Sequence, residues 1–307
     1  MNPRHYADSL MLRFKISTTM TYIRHQLTAF VALAALCCAQ PSAAQRVDYQ
    51  RSDSIKVVKL LRDASRLSPK TNYMLYFGRK LRGLPYVGKT LEKNSNEQLV
   101  VNLRQMDCTT FTETVLALSR CMKQHRLTFA DYCSNLRLFR YKDGVVSYPN
   151  RLHYFTYWMS ENVGKGLVSI VSEPRTVFTA TQTVRANYMT THRSLYPMLV
   201  KHQEWVPQIA EMERSITGTR HPYIPKSGIV NTARLRQTIH DGDVIVILTS
   251  KRGLDTSHIG IAVWHKDGLH LLNASSIHRK VVEEPMTFRQ YMMKHPTHTG
   301  IRVARLN

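Results

Sequence analysis

Three short apolar segments in the C-terminal part of the 307-residue chain most constrain its fold. They are rich in β-branched residues, turn residues separate them, and they cover residues 244–248, 257–264 and 269–273. Segments of this length and composition predict successive antiparallel strands. Earlier segments have a helical period instead. The expected helices cover residues 52–66, 71–81, 108–123, 128–139, 151–162, 202–215 and 286–294. Helices followed by a strand meander indicate an α+β architecture.

Residues 27–39 (LTAFVALAALCCA) form the one long apolar run, with Arg24 before it and small residues up to Ala44 after it. About 13 apolar residues are too few to cross a bilayer. A run of this kind that ends in small residues is typical of a cleaved export signal, whereas the alternative is an apolar core helix. We therefore expect residues 1–44 to be removed, with Met20 as an alternative start, and residues 45–307 to form a single domain.

Lipid attachment is the less favoured form of export for this chain. It requires a small residue before the modified cysteine, whereas Cys37 follows Leu36 and Cys38 follows Cys37. We expect a periplasmic protein with no integral membrane segment after signal removal.

The chain is strongly basic, with 43 Lys and Arg against 21 Asp and Glu and a net charge of +22. The expected signal contains only four basic residues and one acidic residue, so the positive charge belongs to the remaining domain. Such a charge points to an anionic partner. Export and the scattered basic residues argue against nucleic acid. A carboxylate-bearing cell-envelope polymer fits better, and we expect a monomer.

Three cysteines remain after the signal, and an odd number in an oxidising compartment indicates at least one unpaired thiol. Cys108 follows Asp107, a good N-cap residue, at the start of an expected helix. The helix N-terminus there favours the thiolate, so Cys108 is the candidate nucleophile. Cys121 and Cys133 lie on apolar stretches and are expected to be buried, with a disulfide between them left open.

A thiolate nucleophile needs a base, and His258 is the candidate among 14 histidines. It lies in an expected strand and shares a face with Gly260 and Ala262 because side chains alternate along a strand. Asn273 ends the next expected strand, so a hairpin would bring its amide beside the imidazole. Cysteine, histidine and a polar residue would then form a catalytic triad. A hydrogen-bonded core histidine is the alternative interpretation.

Four motifs occur in a characteristic order: Gly-x-Pro-Tyr-x-Gly at 83–88, Asp-Cys-x-x-Phe at 107–111, Ser-His-x-Gly-Ile at 257–261 and Asn-Ala-Ser at 273–275. This order resembles the NlpC superfamily of cell-wall cysteine amidases, and more closely its N-acetylmuramoyl-L-alanine amidase-like branch. Further matching segments are Arg151–Phe155, Tyr223–Pro225 and Asp241–Ile245. The resemblance covers most of residues 70–305.

The resemblance implies a papain-like core with helical insertions, in which the nucleophile-bearing helix packs on the C-terminal antiparallel sheet. It implies Cys108 as nucleophile, His258 as base and Asn273 as the orienting residue, although many relatives have histidine in this third place. Tyr86 and Asp107 match substrate-binding positions. In many relatives the residue that matches Asp107 contacts a substrate amine. A muramoyl amidase has no such amine before cleavage, so Asp107 would then only cap the helix.

The implied substrate is a muropeptide, cut between N-acetylmuramic or 1,6-anhydro-N-acetylmuramic acid and L-alanine. Arg151 and His153 could line a sugar pocket, or could belong to the solvated face of a helix. The closest alternative is a γ-D-glutamyl-diaminopimelate endopeptidase with the same triad. Another is a basic glycan-binding protein without catalytic activity.

A metal enzyme is the remaining alternative, because several histidines lie close together near the C-terminus. These are His258, His265, His270 and His278. No two of them have the His-x-x-x-His spacing with an adjacent glutamate, and Cys-x-x-Cys is absent from the sequence. We therefore expect neither a metal nor another cofactor.

Overall fold

The computed structural model describes residues 47–307, which belong to one compact unit. The expected export signal, residues 1–44, lies outside the described residues. Within residues 47–307, no helix combines the length and apolar character needed to cross a bilayer.

The α-helices of the described residues are numbered in chain order. They are α1 Arg51–Ala64, α2 Tyr73–Lys80, α3 Cys108–Lys123, α4 Phe129–Arg140, α5 Phe155–Gly164, α6 Tyr188–Thr191, α7 Pro197–Lys201, α8 Val206–Ile216, α9 Ala233–Thr238 and α10 Phe288–Met293. Side-chain caps explain several of the starts, because a cap satisfies an N–H group that has no partner inside the helix. Asn72 caps α2, Thr128 caps α4 and Thr287 caps α10.

The strands include the three that the sequence predicts, as β6 to β8. The full set is β1 Val47–Tyr49, β2 Leu99–Val101, β3 Val168–Val171, β4 Ala180–Thr183, β5 Arg220–Pro225, β6 Val244–Thr249, β7 Thr256–Trp264, β8 Leu269–Ser275, β9 Lys280–Glu283 and β10 His298–Leu306. The eight-stranded sheet has the order β4-β5-β10-β6-β7-β8-β9, with β3 also paired to β10. Its pairings are antiparallel, and β1 and β2 form a separate parallel pair.

Strand β10 lies in the middle of the sheet although the sequence pattern did not predict it. Charged residues interrupt its apolar pattern. The guanidinium of Arg302 is buried and donates to the Thr156 hydroxyl at 2.9 Å. Arg305 pairs with the Asp243 carboxylate at 2.7 Å. Internal partners therefore allow basic side chains in a central strand.

Helices α2 and α3 pack on β7 and β8 at one face of the sheet, and α1 and α4 pack against α3. Ile259, Ile261 and Val263 of β7 belong to the same apolar core as the buried residues of these helices. Ala262 faces the second core, which includes residues of α10. The prediction of a mixed α+β fold with an antiparallel sheet is confirmed.

Candidate active site

The start of helix α3 is fixed by a reciprocal cap. The Asp107 carboxylate accepts the backbone N–H of Thr110 at 2.8 Å, and the Thr110 hydroxyl accepts the backbone N–H of Asp107 at 2.9 Å. Cys108 is therefore the first residue of the helix, and it is half-buried. The prediction that Asp107 caps this helix is confirmed.

The Cys108 thiol lies against strand β7. The backbone N–H of Ile259 donates to the sulfur, and so do the hydroxyl and the backbone N–H of Thr109. Burial and the nearby Asp107 carboxylate outweigh these donors and raise the pKa of Cys108 to about 12. The expectation that the helix N-terminus would favour a thiolate is therefore wrong for the free protein, because desolvation of the charged form dominates.

His258 follows an irregularity in β7. Ile247 of β6 pairs with His258 and Leu248 pairs with Thr256, so Ser257 is an extra residue in the ladder. A bulge of this kind re-aims the neighbouring side chain and is frequent beside active sites. Since Ile259 contacts the sulfur, the bulge and the thiol lie at the same end of β7.

His258 and Asn273 form the predicted pair, with 2.8 Å between His258 Nε2 and Asn273 Oδ1. Gly260 makes the pairing possible. A Cβ at this position would lie 3.0 Å from the Cβ of Asn273 and 2.8 Å from Leu271 Cδ1, both closer than normal packing allows. Burial lowers the pKa of His258, whereas the Asn273 hydrogen bond and the Glu284 charge act in the opposite direction.

Two residues that the sequence interpretation missed extend this pair. Asn273 Nδ2 donates to Glu284 Oε1 at 3.0 Å, and His278 Nε2 lies 3.0 Å from Glu284 Oε2. Glu284 is only 2% exposed. No sequence pattern points to Glu284, because it lies beside the Asn273 amide only once β8 and β9 are paired, with Asn273 opposite Val282 and Glu284 two residues further on.

Aromatic side chains also lie near the thiol. Burial, followed by the charges of Cys108 and Asp107, raises the pKa of Tyr86 to about 12. Tyr86 lies in the loop predicted at residues 83–88, and its backbone pairs with Met106 in an isolated parallel β-bridge. Burial and the charges of Glu284 and Cys108 raise the pKa of Tyr291. The sequence interpretation had not included Tyr291.

Arg151 and His153 are held by protein partners. Arg151 pairs with Glu92 and lies 3.6 Å from Glu97, and its guanidinium packs over the Tyr148 ring. His153 Nε2 lies 2.8 Å from the Tyr148 backbone oxygen. These contacts fix the segment before α5, which begins at Phe155 rather than at the expected residue 151. A direct substrate contact by either residue stays a prediction.

The other two cysteines of the described residues are free thiols. Cys121 and Cys133 are buried, and the Asn135 amide donates to the Cys121 sulfur at 3.2 Å. Burial raises the pKa of Cys121 to about 11 and that of Cys133 to about 12. Both thiols belong to the apolar core between α3 and α4.

The four C-terminal histidines do not converge on one site. His258 binds Asn273, and His278 binds Glu284. His265 and His270 stack at the β7–β8 turn, where their ligand atoms lie within 4.8 Å of each other and of the Asp267 carboxylate. This group is built from the turn and includes neither His258 nor His278.

The arrangement unites a neutral thiol, a neutral imidazole and a buried amide at one end of β7 and β8. An imidazole whose pKa is lowered stays unprotonated at neutral pH and accepts a proton from a thiol as the sulfur attacks. The orienting amide restricts the ring, as in other nucleophile–histidine–amide systems. Acyl transfer is the chemistry that this set supports.

Comparison with known proteins identifies the family of the chain. The family described as AmiA-like, N-acetylmuramoyl-L-alanine amidase-like, matches residues 76–301. An N-acetylmuramoyl-L-alanine amidase structure from Bacteroides uniformis is 36% identical, covers 76% of this chain and 97% of its own, and has a TM-score of 0.71. No curated protein matches the chain.

Two further structures are similar. A Bacteroides fragilis protein described as a candidate xylanase is 36% identical, with 76% of this chain and 100% of its own covered and a TM-score of 0.70. A Legionella pneumophila protein, 21% identical, shares the fold with a TM-score of 0.66 over 83% of this chain and 94% of its own. The chain belongs to the N-acetylmuramoyl-L-alanine amidase-like family of cell-wall hydrolases.

Proposed function

We propose that this protein is a cysteine amidase that cleaves the bond between N-acetylmuramic acid, or its 1,6-anhydro form, and L-alanine in muropeptides. The observation that carries the proposal is the contact of the Cys108 sulfur with the backbone N–H of Ile259. It joins the helix that carries the nucleophile to the strand that carries His258. The family match supplies the substrate class.

In the first step, Cys108 Sγ attacks the lactyl carbonyl carbon while His258 accepts the thiol proton. The carbonyl oxygen becomes an oxyanion that needs N–H donors. The Thr110 N–H is already taken by the Asp107 carboxylate. The Thr109 N–H donates to the Cys108 sulfur. We therefore assign the oxyanion to the N–H group of Cys108, at the half-buried start of α3.

In the second step, the imidazolium of His258 gives its proton to the departing alanine nitrogen, and the carbon–nitrogen bond breaks. A thioester between Cys108 and the muramoyl group remains. Neutral His258 then takes a proton from water, whose oxygen attacks the thioester carbon. The carbon–sulfur bond then breaks, and the imidazolium of His258 returns its proton to the sulfur. The products are a sugar with a free lactyl carboxylate, a peptide with a free amine and the regenerated thiol.

A basic groove supports an anionic peptide as part of the substrate. It has a volume of about 390 Å³ and is lined by Arg185, Lys251 and Arg252, among other residues. Leu248 and Thr249 of β6 also line it, and the β6–β7 loop leads from there to His258. Stem-peptide carboxylates would find complementary charge here.

The family match favours the muramoyl bond over the γ-D-glutamyl-diaminopimelate bond. An endopeptidase would use the Asp107 carboxylate to bind a free substrate amine, as the resemblance implies. Its Oδ1 accepts two hydrogen bonds from Thr110, from the backbone N–H and from the hydroxyl, each 2.8 Å long. An amine would therefore have to share this carboxylate with the helix cap.

A xylanase activity, suggested by the description of the Bacteroides fragilis structure, does not fit the site. Glycoside hydrolysis normally uses two carboxyl groups on opposite sides of the scissile bond. The carboxylates whose charges act on Cys108 and His258 are Asp107 and Glu284. The first caps α3, and the second is buried behind Asn273.

The deciding experiment is mass spectrometry of the products formed from purified disaccharide-tetrapeptide. The proposal expects free disaccharide and free tetrapeptide, and a comparison of reducing with 1,6-anhydro substrate gives the sugar preference. A disaccharide-dipeptide would overturn the amidase proposal in favour of the endopeptidase. Intact substrate, with the protein folded, would favour a glycan-binding function. Cys108→Ala is the control.

The superfamily and the cellular location are also part of the proposal. We propose that the helix that carries Cys108 and the strands that carry His258 and Asn273 form a papain-like NlpC core, because a nucleophile helix packed on an antiparallel sheet is what the sequence resemblance implies. Hydrolysis of cell-wall fragments is consistent with removal of residues 1–44 on export to the periplasm. N-terminal sequencing of protein from the periplasmic fraction would test this, with a start near Gln45 as the expected result.

A further inference from the structure

The orientation of the Asn273 side chain decides which nitrogen of His258 is the base. An amide has a donor end and an acceptor end, and Asn273 is completely buried, so both ends need protein partners. Its oxygen faces His258 Nε2. Its nitrogen faces Glu284 Oε1 at 3.0 Å, and the Leu271 and Val282 backbone oxygens only at 3.5 Å. Glu284 supplies the close contact.

A carboxylate accepts hydrogen bonds and cannot donate them, so it selects the NH₂ end of the amide. The Asn273 oxygen must then face the imidazole, and His258 Nε2 must carry the proton that it donates. The free lone pair is therefore on Nδ1. If the amide were reversed, it would place N–H against Nε2 and move the proton to Nδ1, the atom needed as base.

Glu284 is itself held on several sides. Its second carboxylate oxygen lies 3.0 Å from His278 Nε2, and its backbone N–H donates to the Leu271 oxygen at 2.8 Å. Its backbone oxygen lies 2.9 Å from His270 Nδ1. These bonds fix the backbone and the side chain together, so the carboxylate has a defined position behind the amide.

We propose that Glu284 is a positioning residue that fixes the Asn273 amide and thereby keeps His258 in the Nε2–H form. The inference rests on the proposed function, because the base that it orients serves the hydrolysis. Glu284 itself does not touch the substrate.

The first test needs no substitution. Nitrogen-15 NMR of histidine-labelled wild-type protein reports the tautomer of His258, assigned by comparison with His258→Ala. We expect the proton on Nε2, and a neutral ring with its proton on Nδ1 would overturn the proposal. This readout does not depend on hydrolysis. The same spectrum of Glu284→Leu, in which we expect part of His258 to carry its proton on Nδ1, decides the role of Glu284 even if the wild type leaves muropeptides intact and the proposed function fails.

The second test compares Glu284→Leu with Glu284→Gln. Glutamine keeps an oxygen for Asn273 Nδ2, so we expect kcat within about threefold of wild type. Leucine removes the acceptor, and we expect kcat to fall about 10- to 100-fold at unchanged KM, as for outer residues that orient metal-bound histidines. Glu283→Gln is the matched control, since Glu283 pairs with Arg79 and His265 instead.

The third test is a double-mutant cycle. If Glu284 acts through the amide, Asn273→Ala combined with Glu284→Leu should be no slower than Asn273→Ala alone. Additive losses would overturn the proposal, and so would a folded Glu284→Leu protein with wild-type kcat. If that variant does not fold, the wild-type tautomer and the Glu284→Gln variant decide the question.

Discussion

Helix α3 carries one cysteine at each end, and the two ends differ in what faces the sulfur. At the N-terminal end, Cys108 is half-buried and receives hydrogen bonds from Thr109 and from Ile259 of the adjacent strand. At the C-terminal end, Cys121 is completely buried, and a single amide from Asn135 donates to it. Burial raises the pKa of both thiols.

This comparison teaches that the position on a helix does not make a thiol a nucleophile. Both thiols rest in the protonated form, so neither has an advantage from its pKa. Cys108 differs in its access to solvent and in its neighbour, a strand with a bulge and a histidine. Under the proposed function, the elements packed against each sulfur decide which thiol reacts.

The largest expected effect comes from removing each sulfur in turn. For Cys108→Ala we expect kcat/KM to fall by at least about 10³-fold, because the covalent route is lost. For Cys121→Ala we expect activity within about threefold of wild type and a loss of about 1 kcal/mol in unfolding free energy, as for an average core substitution. Product analysis on disaccharide-tetrapeptide and urea unfolding would measure both.

A Cys108→Ala protein that still hydrolyses the substrate would contradict the assignment of the nucleophile to the N-terminal end of α3. A folded but inactive Cys121→Ala protein would do the same, since it would assign the chemistry to the wrong end of the helix.

Alkylation by iodoacetamide should sharpen the difference between the two ends. Only the thiolate reacts, so the rate at Cys108 should rise about tenfold per pH unit from pH 6 to above pH 9, because its pKa is about 12. Cys121 should label only after denaturation. Peptide mass spectrometry of labelled protein would give both rates.

A plateau in the Cys108 alkylation rate below pH 7 would show instead a thiolate–imidazolium pair in the free protein.

The pH profile of hydrolysis gives an independent check. Because burial lowers the pKa of His258, the fall of kcat/KM on the acid side, where His258 becomes protonated, should lie at lower pH than for an unperturbed histidine.

The smallest effect on stability and reactivity is expected at Asp107, which caps the N-terminal end of α3. Asp107→Ala should lower the unfolding free energy by about 1 kcal/mol, because the Thr110 N–H loses its acceptor. Asp107→Asn keeps an acceptor and removes the charge that raises the pKa of Cys108. Its stability should stay close to wild type, while its alkylation curve should shift to lower pH. An unshifted curve would contradict the electrostatic role of Asp107.

The sequence predicts the parts of this molecule that depend on local pattern. The strands β6 to β8, the start of α3 at Cys108 and the pairing of His258 with Asn273 follow from periodicity, capping and hairpin geometry. Each depends on residues close together in the sequence, or on two adjacent strands.

The remaining parts depend on contacts that have no local pattern. Strand β10 was missed because Arg302 and Arg305 look exposed until their partners Thr156 and Asp243 are known. Glu284 was missed because a buried carboxylate next to an amide looks like any surface acid in the sequence. The raised pKa of Cys108 follows from burial, which the helix position alone does not reveal.

The place of β10 has a consequence for the folding of the protein. Strands β5 and β6 both pair with β10, although β10 follows all the other described elements in the sequence. Pairing over such sequence separations is slow compared with helix formation. We therefore expect a refolding chain to form its cysteine helix early and its finished sheet only at the end. Hydrolytic activity should then return late in refolding, after β10 has paired.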